Sequence, residues 1–284
     1  MPDYLRPTRL DEALAALASA ARHGSPLSIV AGGTDHYPAR VGKPLDEPVL
    51  DITAIEGLRE IRHDGAVWRI PALATWTDLI ENEDLPAEFD GLKRAAREVG
   101  GVQIQNAATV CGNLCNASPA ADGIPNLLAL DAEVELASPA GIRRVPVAAF
   151  VLGNRRTARD HGELVTAVLV PVRRRPARSA FLKLGARRYL VISIVMVAAV
   201  AELDGDGAIA TAGISVGACS AAALRLPSVE RLMIGERPGP ALARQVEARH
   251  LDALRPIDDL RGTATYRLDA ALSLTRRAIA ELGA

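Results

Sequence analysis

Pro26-Leu27-Ser28-Ile29-Val30 runs without a break into Ala31-Gly32-Gly33-Thr34-Asp35. The first five residues form a short apolar run that predicts a buried strand. Adjacent glycines then let the backbone take positive φ and turn several N–H groups toward one point, a nest suited to an anion. Thr34 adds a hydroxyl donor. The same residues also suit a strand-to-turn punctuation with no ligand, and the quoted stretch alone leaves both readings open. It is neither the G-x-G-x-x-G dinucleotide fingerprint nor a P-loop with its lysine, which weakens ordinary NAD and ATP readings.

A second turn follows about eighty residues later: Thr109-Val110-Cys111-Gly112-Asn113-Leu114-Cys115-Asn116-Ala117-Ser118-Pro119-Ala120-Ala121-Asp122. It lies within Gly100 to Asp122, a polar and small stretch with no clear helical or strand period. Long irregular loops are often functional, although a surface Ω-loop also fits. Two donor-rich loops meeting over one pyrophosphate would account for both stretches without an arginine or lysine clamp.

Around these stretches the chain reads as mixed α and β. Thr8 and Asp11 are spaced as a capping box for a helix carrying Leu10, Ala13, Leu14 and Leu17, with Gly24 placed to end it. Further strands are expected at Val49 to Ile52, Leu58 to Ile61, Val67 to Ile70 and Glu133 to Leu136. Helices are expected at Thr77 to Glu83, Gly91 to Val99 and Asn126 to Leu130. Pro171-Val172-Arg173-Arg174-Arg175-Pro176 reads as an exposed linker. Beyond it, Leu190 to Leu203 and Ala208 to Val216 flank the hairpin turn Asp204-Gly205-Asp206-Gly207. Helices are expected within Pro240 to Leu254 and Thr265 to Leu282. The division is therefore a larger domain over 1–175, with two subdomains meeting near residue 54, and a smaller α+β domain over 176–284.

Composition narrows the function classes. A net charge of −1 gives no overall positive field to draw nucleic acid or anionic lipid. The longest apolar run, Leu190 to Ala201, is 12 residues, against the roughly 20 that span a bilayer. Three cysteines cannot build a disulfide framework or supply the four thiolates an iron–sulfur cluster usually needs. The start, Met1-Pro2-Asp3-Tyr4-Leu5-Arg6, has no apolar signal region. A reduced, cytoplasmic protein is expected. Cys111 and Cys115 have no partners to complete a metal site, and His23, His36, His63, His161 and His250 fall at no ligand spacing. His36, just after the first glycine turn, is a candidate for contact with a phosphate held there or for a covalent bond to a bound cofactor. Arg155, Arg156, Arg187 and Arg188 suit phosphates, a partner subunit or a solvated surface.

Ala31-Gly32-Gly33-Thr34-Asp35 taken with Thr109-Val110-Cys111-Gly112-Asn113 resembles the paired motifs of the FAD-binding medium subunit of molybdenum hydroxylases, the xanthine dehydrogenase, aldehyde oxidase and carbon monoxide dehydrogenase group. Ala117 to Asp122, Phe150 to Val165 (FVLGNRRTARDHGELV), Phe181 to Arg188 (FLKLGARR), Pro256 to Gly262 and Tyr266-Arg267 agree with it in order along nearly the whole chain. The resemblance implies an α+β architecture: a p-cresol methylhydroxylase-type FAD-binding domain followed by a smaller α+β C-terminal domain. It implies that Val30, Ala31, Gly32, Gly33, Thr34 and Asp35, with Thr109, Val110, Gly112 and Asn113, wrap the FAD pyrophosphate. Asn116 and Ser118 would line the same cradle, Asp122 would bond the cofactor farther along, and Leu164 or Val165 would contact the adenine. Lys183 would approach the flavin carbonyl edge, where reduction places negative charge that an ammonium stabilises.

Two residues depart from the family pattern. Cys111 stands where a first glycine is usual, and Val191-Ile192-Ser193 replaces an Asp-Ile-Ala pattern, removing an acidic residue near the flavin. The implied function is electron transfer: substrate is hydroxylated at a molybdopterin cofactor on a large subunit, and electrons pass through two [2Fe–2S] clusters of a small subunit to FAD here and on to an external acceptor. No residue of this chain is given a catalytic or metal-binding role, and two heterotrimers are expected to pair. A stand-alone flavin oxidase of the vanillyl-alcohol oxidase superfamily is an alternative, although about 110 residues after the linker leave little room for its cap domain. A non-catalytic flavin-binding or assembly module is another.

Overall fold

A computed structural model describes residues 3–42 and 46–284 of the chain. Met1 and Pro2, quoted above for the N-terminal reading, lie outside the described residues. Strand β1 (Tyr4–Leu5) leads into helix α1 (Leu10–Arg22), which turns Ala13 and Leu17 onto Leu50, Ile52 and Leu164. The expected capping box is not formed. Arg9 holds the N-cap position, and Asp11 is taken by the Arg9 guanidinium at 3.0 and 2.7 Å. A bidentate, charge-assisted pair outcompetes a bond to a neutral amide. Past the helix end, Gly24 takes φ +65°, the left-handed turn a glycine supplies without strain. Strands β2 (Ser28–Val30) and β3 (Val49–Asp51) then complete a parallel three-stranded sheet in the order β1-β3-β2.

The second sheet is antiparallel. Hairpin β4 (Arg62–Asp64) and β5 (Val67–Pro71) is followed by five helices: α2 (Trp76–Glu81), α3 (Asp90–Glu98), α4 (Val102–Gln105), α5 (Val110–Asn116) and α6 (Gly123–Ala129). The chain returns through β6 (Glu133–Ser138), β7 (Gly141–Pro146), α7 (Val147–Phe150), the small hairpin β8 (Val151–Gly153) and β9 (Arg156–Thr157), and β10 (Leu164–Pro171). The order β4-β5-β10-β6-β7 puts β10 at the centre, with Val168 opposite Ile70 and Val134. Leu164 through Val170 are all buried, as a central strand covered on both faces demands. Its one polar residue, Thr166, donates to Glu135 at 2.7 Å, and Arg69 grips the same carboxylate at 2.6 and 2.9 Å. That guanidinium holds the Glu135 carboxyl below the usual range.

The third sheet consists of β11 (Ala177–Leu184), β12 (Val195–Leu203), β13 (Ile209–Gly217) and β14 (Leu224–Arg225), followed by α8 (Pro227–Met233), α9 (Pro240–Ala243) and α10 (Ala264–Glu281). Strand alternation divides β12 between two cores. Val195, Val197, Ala199 and Ala201 pack with Ala271, Ala278 and Ile279 of α10, whereas Met196, Ala198 and Val200 join the core containing Leu127, Leu128 and Phe181. The C-terminal sheet is thus continuous with the hydrophobic interior of the first domain.

Four expectations are corrected. Leu58 to Ile61 is bend and coil rather than strand, and β4 begins only at Arg62. Gly100 to Asp122 is not one irregular loop but contains α4 and α5. Strand β12 begins at Val195 rather than Leu190, because Leu190 takes φ +53° and Tyr189, Leu190 and Ile192 are exposed. The Pro171 to Pro176 segment is not wholly exposed: Arg173 is drawn inward by Asp131 at 3.0 Å and Glu202 at 3.3 Å. Among the described residues, no helix is long and apolar enough to cross a membrane.

Arg267 of α10 is buried and donates to the carbonyls of Ile194 and Ala218 and to Asp259. The backbone N–H of Arg261, then the Arg267 and Arg261 guanidinium groups, lower the Asp259 carboxyl to about 2 from an ordinary 3.8. A depressed carboxylate stabilises the fold above its unfolded pKa and loses that contribution as pH falls through the folded value. Asp259→Asn is therefore expected to be less stable than the parent at neutral pH, with the gap closing between about pH 4 and pH 2. Denaturant unfolding followed by circular dichroism at both ends of that window checks this, and an unchanged gap would contradict it.

Candidate flavin site

Strand β2 delivers the first glycine turn to the edge of a cavity. Gly32 presses its Cα against the main chain of the segment before α5: a Cβ there would overlap the Ala107 carbonyl. Gly33 sits at φ +69°, with the Tyr37 ring 2.6 Å from where a Cβ would project. Each glycine thus has a steric reason, one for close backbone approach and one for left-handed φ. Among the described residues, the main-chain N–H groups of Gly32, Gly33, Thr34 and Asp35 meet no acceptor. Buried or half-buried amides are normally paired, so this row is a donor set awaiting a ligand.

The second motif is built differently from the turn expected. Thr109 is the N-cap of α5, and its hydroxyl accepts the Gly112 N–H at 2.9 Å. Val110 N–H bonds Ala74 O at 3.0 Å and Asn113 N–H bonds Thr109 O at 3.0 Å. A Cβ on Gly112 would come 2.7 Å from the Thr109 hydroxyl, so this glycine serves the cap. Most amides of the second motif are already committed to the helix and its neighbour. The first turn carries the open donors, while α5 supplies a wall and its side chains.

The cavity enclosed between them measures about 480 Å³, within the ordinary size of a cofactor pocket. Val30, Ala31, Gly32, Gly33, Thr34 and Asp35 line it, as do Thr109, Gly112, Asn113, Asn116, Leu164 and Val165. Val110, Ser118, Asp122 and Lys183 are not on its wall. Val110 points into the core, and the Ser118 hydroxyl accepts from Ala120 N–H at 3.3 Å. Lys183 and Asp122 form a buried ion pair at 2.7 Å, and Ser193 donates to the other Asp122 oxygen at 2.6 Å. Burial pushes the Asp122 carboxyl up, opposed by the Lys183 ammonium and the Ser193 hydroxyl.

Arg155, which the sequence offers for a phosphate, a partner subunit or a solvated surface, lies on the cavity wall. From its φ of +54° in the β8–β9 turn it reaches Asp35 and Asn116, both at 2.9 Å, tying the first loop to α5. With Arg159 and with Arg40, which also pairs with Glu47, it places three guanidinium groups on a cavity wall whose one carboxylate is Asp35. The spacing of Gly153-Asn154-Arg155-Arg156 does not aim that side chain; the positive-φ turn that does so is seen only in the fold.

Three further lining residues carry unpartnered buried polar atoms: His36 Nε2, Trp76 Nε1 and Asn113 Oδ1. Burial and Arg40 lower the His36 pKa, keeping the ring neutral. Cys111 and Cys115 also face the cavity as protonated thiols, the latter pushed by burial up to about 11. Among the described residues, no group of three or more His, Cys, Asp or Glu side chains could hold a metal ion. An open amide row, an excess of arginine, apolar Leu164 and Val165, and orphaned donors and acceptors fit a dinucleotide whose diphosphate is anionic and whose rings are apolar on their faces.

Residues 1–173 match the family described as the FAD binding domain in molybdopterin dehydrogenase, and residues 180–282 match the CO dehydrogenase flavoprotein C-terminal domain. The nicotinate dehydrogenase FAD-subunit of Eubacterium barkeri is 31% identical over 239 residues, covering 82% of this chain and 79% of that protein. The carbon monoxide dehydrogenase medium chain of Afipia carboxidovorans is 30% identical, covering 98% and 95%. In three dimensions, carbon monoxide dehydrogenase from Hydrogenophaga pseudoflava superposes with a TM-score of 0.88 at 28% identity, covering 98% of this chain and 96% of that one. The sequence match through both domains and the superposition along the whole chain lead to one assignment: this chain belongs to the FAD-binding subunits of the molybdopterin dehydrogenases.

Proposed function

We propose that this chain binds FAD in the cavity between the Ala31–Asp35 turn and α5, and that it serves as the electron-transfer flavoprotein of a molybdenum hydroxylase. The p-cresol methylhydroxylase type describes its first domain in this reading. The single observation that carries the proposal is the row of open N–H groups at Gly32 to Asp35, facing a cavity with an excess of arginine. FAD, when bound, supplies the redox step that links one-electron clusters to an acceptor. The amide row and Arg155 bind and orient the diphosphate, Leu164 and Val165 give the adenine an apolar wall, and Trp76 and Asn113 offer a donor and an acceptor inside the cavity. Lys183, Asp122 and Ser193 enter as a tie between α6 and the C-terminal sheet that fixes the walls from behind.

The remaining components follow from family membership. A small subunit would carry the [2Fe–2S] clusters and a large subunit the molybdopterin cofactor. An external acceptor would take the electrons, two heterotrimers would pair, and the complex would be cytoplasmic. Three cysteines, two of them facing the flavin cavity, leave this chain without ligands for a cluster. The isolated chain titrated with FAD is expected to bind one equivalent, with the flavin absorption shifted and its fluorescence changed. The same preparation should hydroxylate none of the purine, N-heterocycle or aldehyde substrates offered to it. Failure to take up flavin, or hydroxylation by the chain alone, would overturn the proposal.

A further inference from the structure

His36 lines the flavin cavity from the segment that follows β2, whereas the other two orphaned polar groups, on Trp76 and Asn113, come from α2 and α5. Its position is fixed on three sides. Nδ1 lies 3.4 Å from the Ser28 hydroxyl of β2, the Tyr37 ring meets the imidazole edge-on with centres 5.1 Å apart, and Arg40 donates to the His36 carbonyl at 2.9 Å. Nε2 is then buried and, among the described residues, has no hydrogen-bond partner. A buried polar atom left unpaired is costly, and such atoms are normally completed by a neighbour, water or ligand.

The surroundings narrow what completes it. Strand alternation puts Ser28 on the same face of β2 as Val30, and the Val30 carbonyl accepts the Ile52 N–H at 2.9 Å. Ile52 packs in one cluster with Leu164, and both line the cavity. His36 therefore stands on the side whose apolar wall suits the adenine, while the diphosphate is met by the amide row and Arg155. Burial, then Arg40, lower the His36 pKa against the opposing pull of Asp35, so the ring is neutral and brings no charge to a phosphate. A neutral imidazole presents either an N–H or a lone pair at Nε2, according to its tautomer. A ribose hydroxyl or the edge of an adenine offers both a donor and an acceptor, and so completes either form.

We propose that His36 is a specificity-determining residue of the cofactor site, its Nε2 forming a neutral hydrogen bond to the adenosine half of FAD. This rests on the reading of the cavity as the FAD site, and a chain that binds FAD without that bond would sink it alone.

FAD titrated into the full chain and followed by flavin fluorescence, with ADP and inorganic pyrophosphate as competitors, is the test. His36→Leu should weaken FAD and ADP by the same factor, about tenfold, the size of one lost hydrogen bond that leaves a buried partner unpaired. Pyrophosphate, which has no adenosine, should compete equally against both proteins. His36→Gln, whose amide reaches to the level of Nε2, should recover most of the loss, which a purely apolar packing role for the ring would not allow. Uptake of one equivalent of FAD by His36→Leu at high flavin concentration reports that this variant is folded. Unchanged FAD affinity in His36→Leu, a loss for FAD without one for ADP, an equal loss for pyrophosphate, or no recovery in His36→Gln would each overturn the proposal. A parent chain that takes up no FAD would overturn it together with the reading of the cavity.

Discussion

Gly32→Ala is expected to lose FAD binding almost completely while Gly24→Ala retains it. Both substitutions add one methyl group. At Gly24 a Cβ meets nothing within 4 Å, so its cost is the strain of a left-handed φ. At Gly32 the methyl would overlap the Ala107 carbonyl, which is backbone and cannot rotate aside. The first turn must then move off the segment leading into α5, and the open N–H groups at Gly32 to Asp35 move with it. Overpacking of this kind costs about 1–3 kcal/mol of stability. The loss in flavin affinity should be larger, at least about a hundredfold, since several charge-assisted bonds to one diphosphate fail together. Flavin titration with a parallel thermal melt separates the two effects. A Gly32→Ala protein with parental FAD affinity would show that the close approach is not what builds the site.

Lys183→Ala is expected to be among the most destabilising single changes in the chain. Lys183 and Asp122 are each less than a tenth exposed at the side chain, and they join β11 to the start of α6. Removing the ammonium leaves Asp122 buried with only the Ser193 hydroxyl as partner, a situation that costs about 3–5 kcal/mol. Replacing both partners, as in Lys183→Met with Asp122→Leu, should cost less than Lys183→Ala alone, because no buried charge is stranded. Chemical denaturation of the three proteins measures this directly. If Lys183→Ala unfolds at the parental midpoint, the ion pair is not the tie described here.

The main elements were legible because their signals are local. The apolar run that becomes β12, the Asp204–Gly207 turn and the amphipathic α10 need no distant partner to be read. Both glycine motifs were legible for the same reason, and twelve of the sixteen residues assigned to the cofactor from the resemblance line one cavity. What was missed depends on three-dimensional competition. Asp11 fits a capping box on spacing, but a guanidinium two residues away outbids the amide. Val191-Ile192-Ser193 reads as a lost acidic residue, whereas in the fold Ser193 donates to Asp122, seventy-one positions earlier. Arg155 reads equally well as a phosphate, partner or surface arginine until the β8–β9 turn brings it to Asp35, 120 positions away. Gly112 reads as a second phosphate turn, yet its smallness serves a helix cap.

A crystal structure of the FAD-loaded chain is the most direct measurement of the central assignment. Phosphate oxygens lying within hydrogen-bond distance of the main-chain nitrogens of Gly32 to Asp35, with Arg155 close enough to pair with them, is the predicted result. A diphosphate held elsewhere, with that amide row still facing solvent, would contradict it.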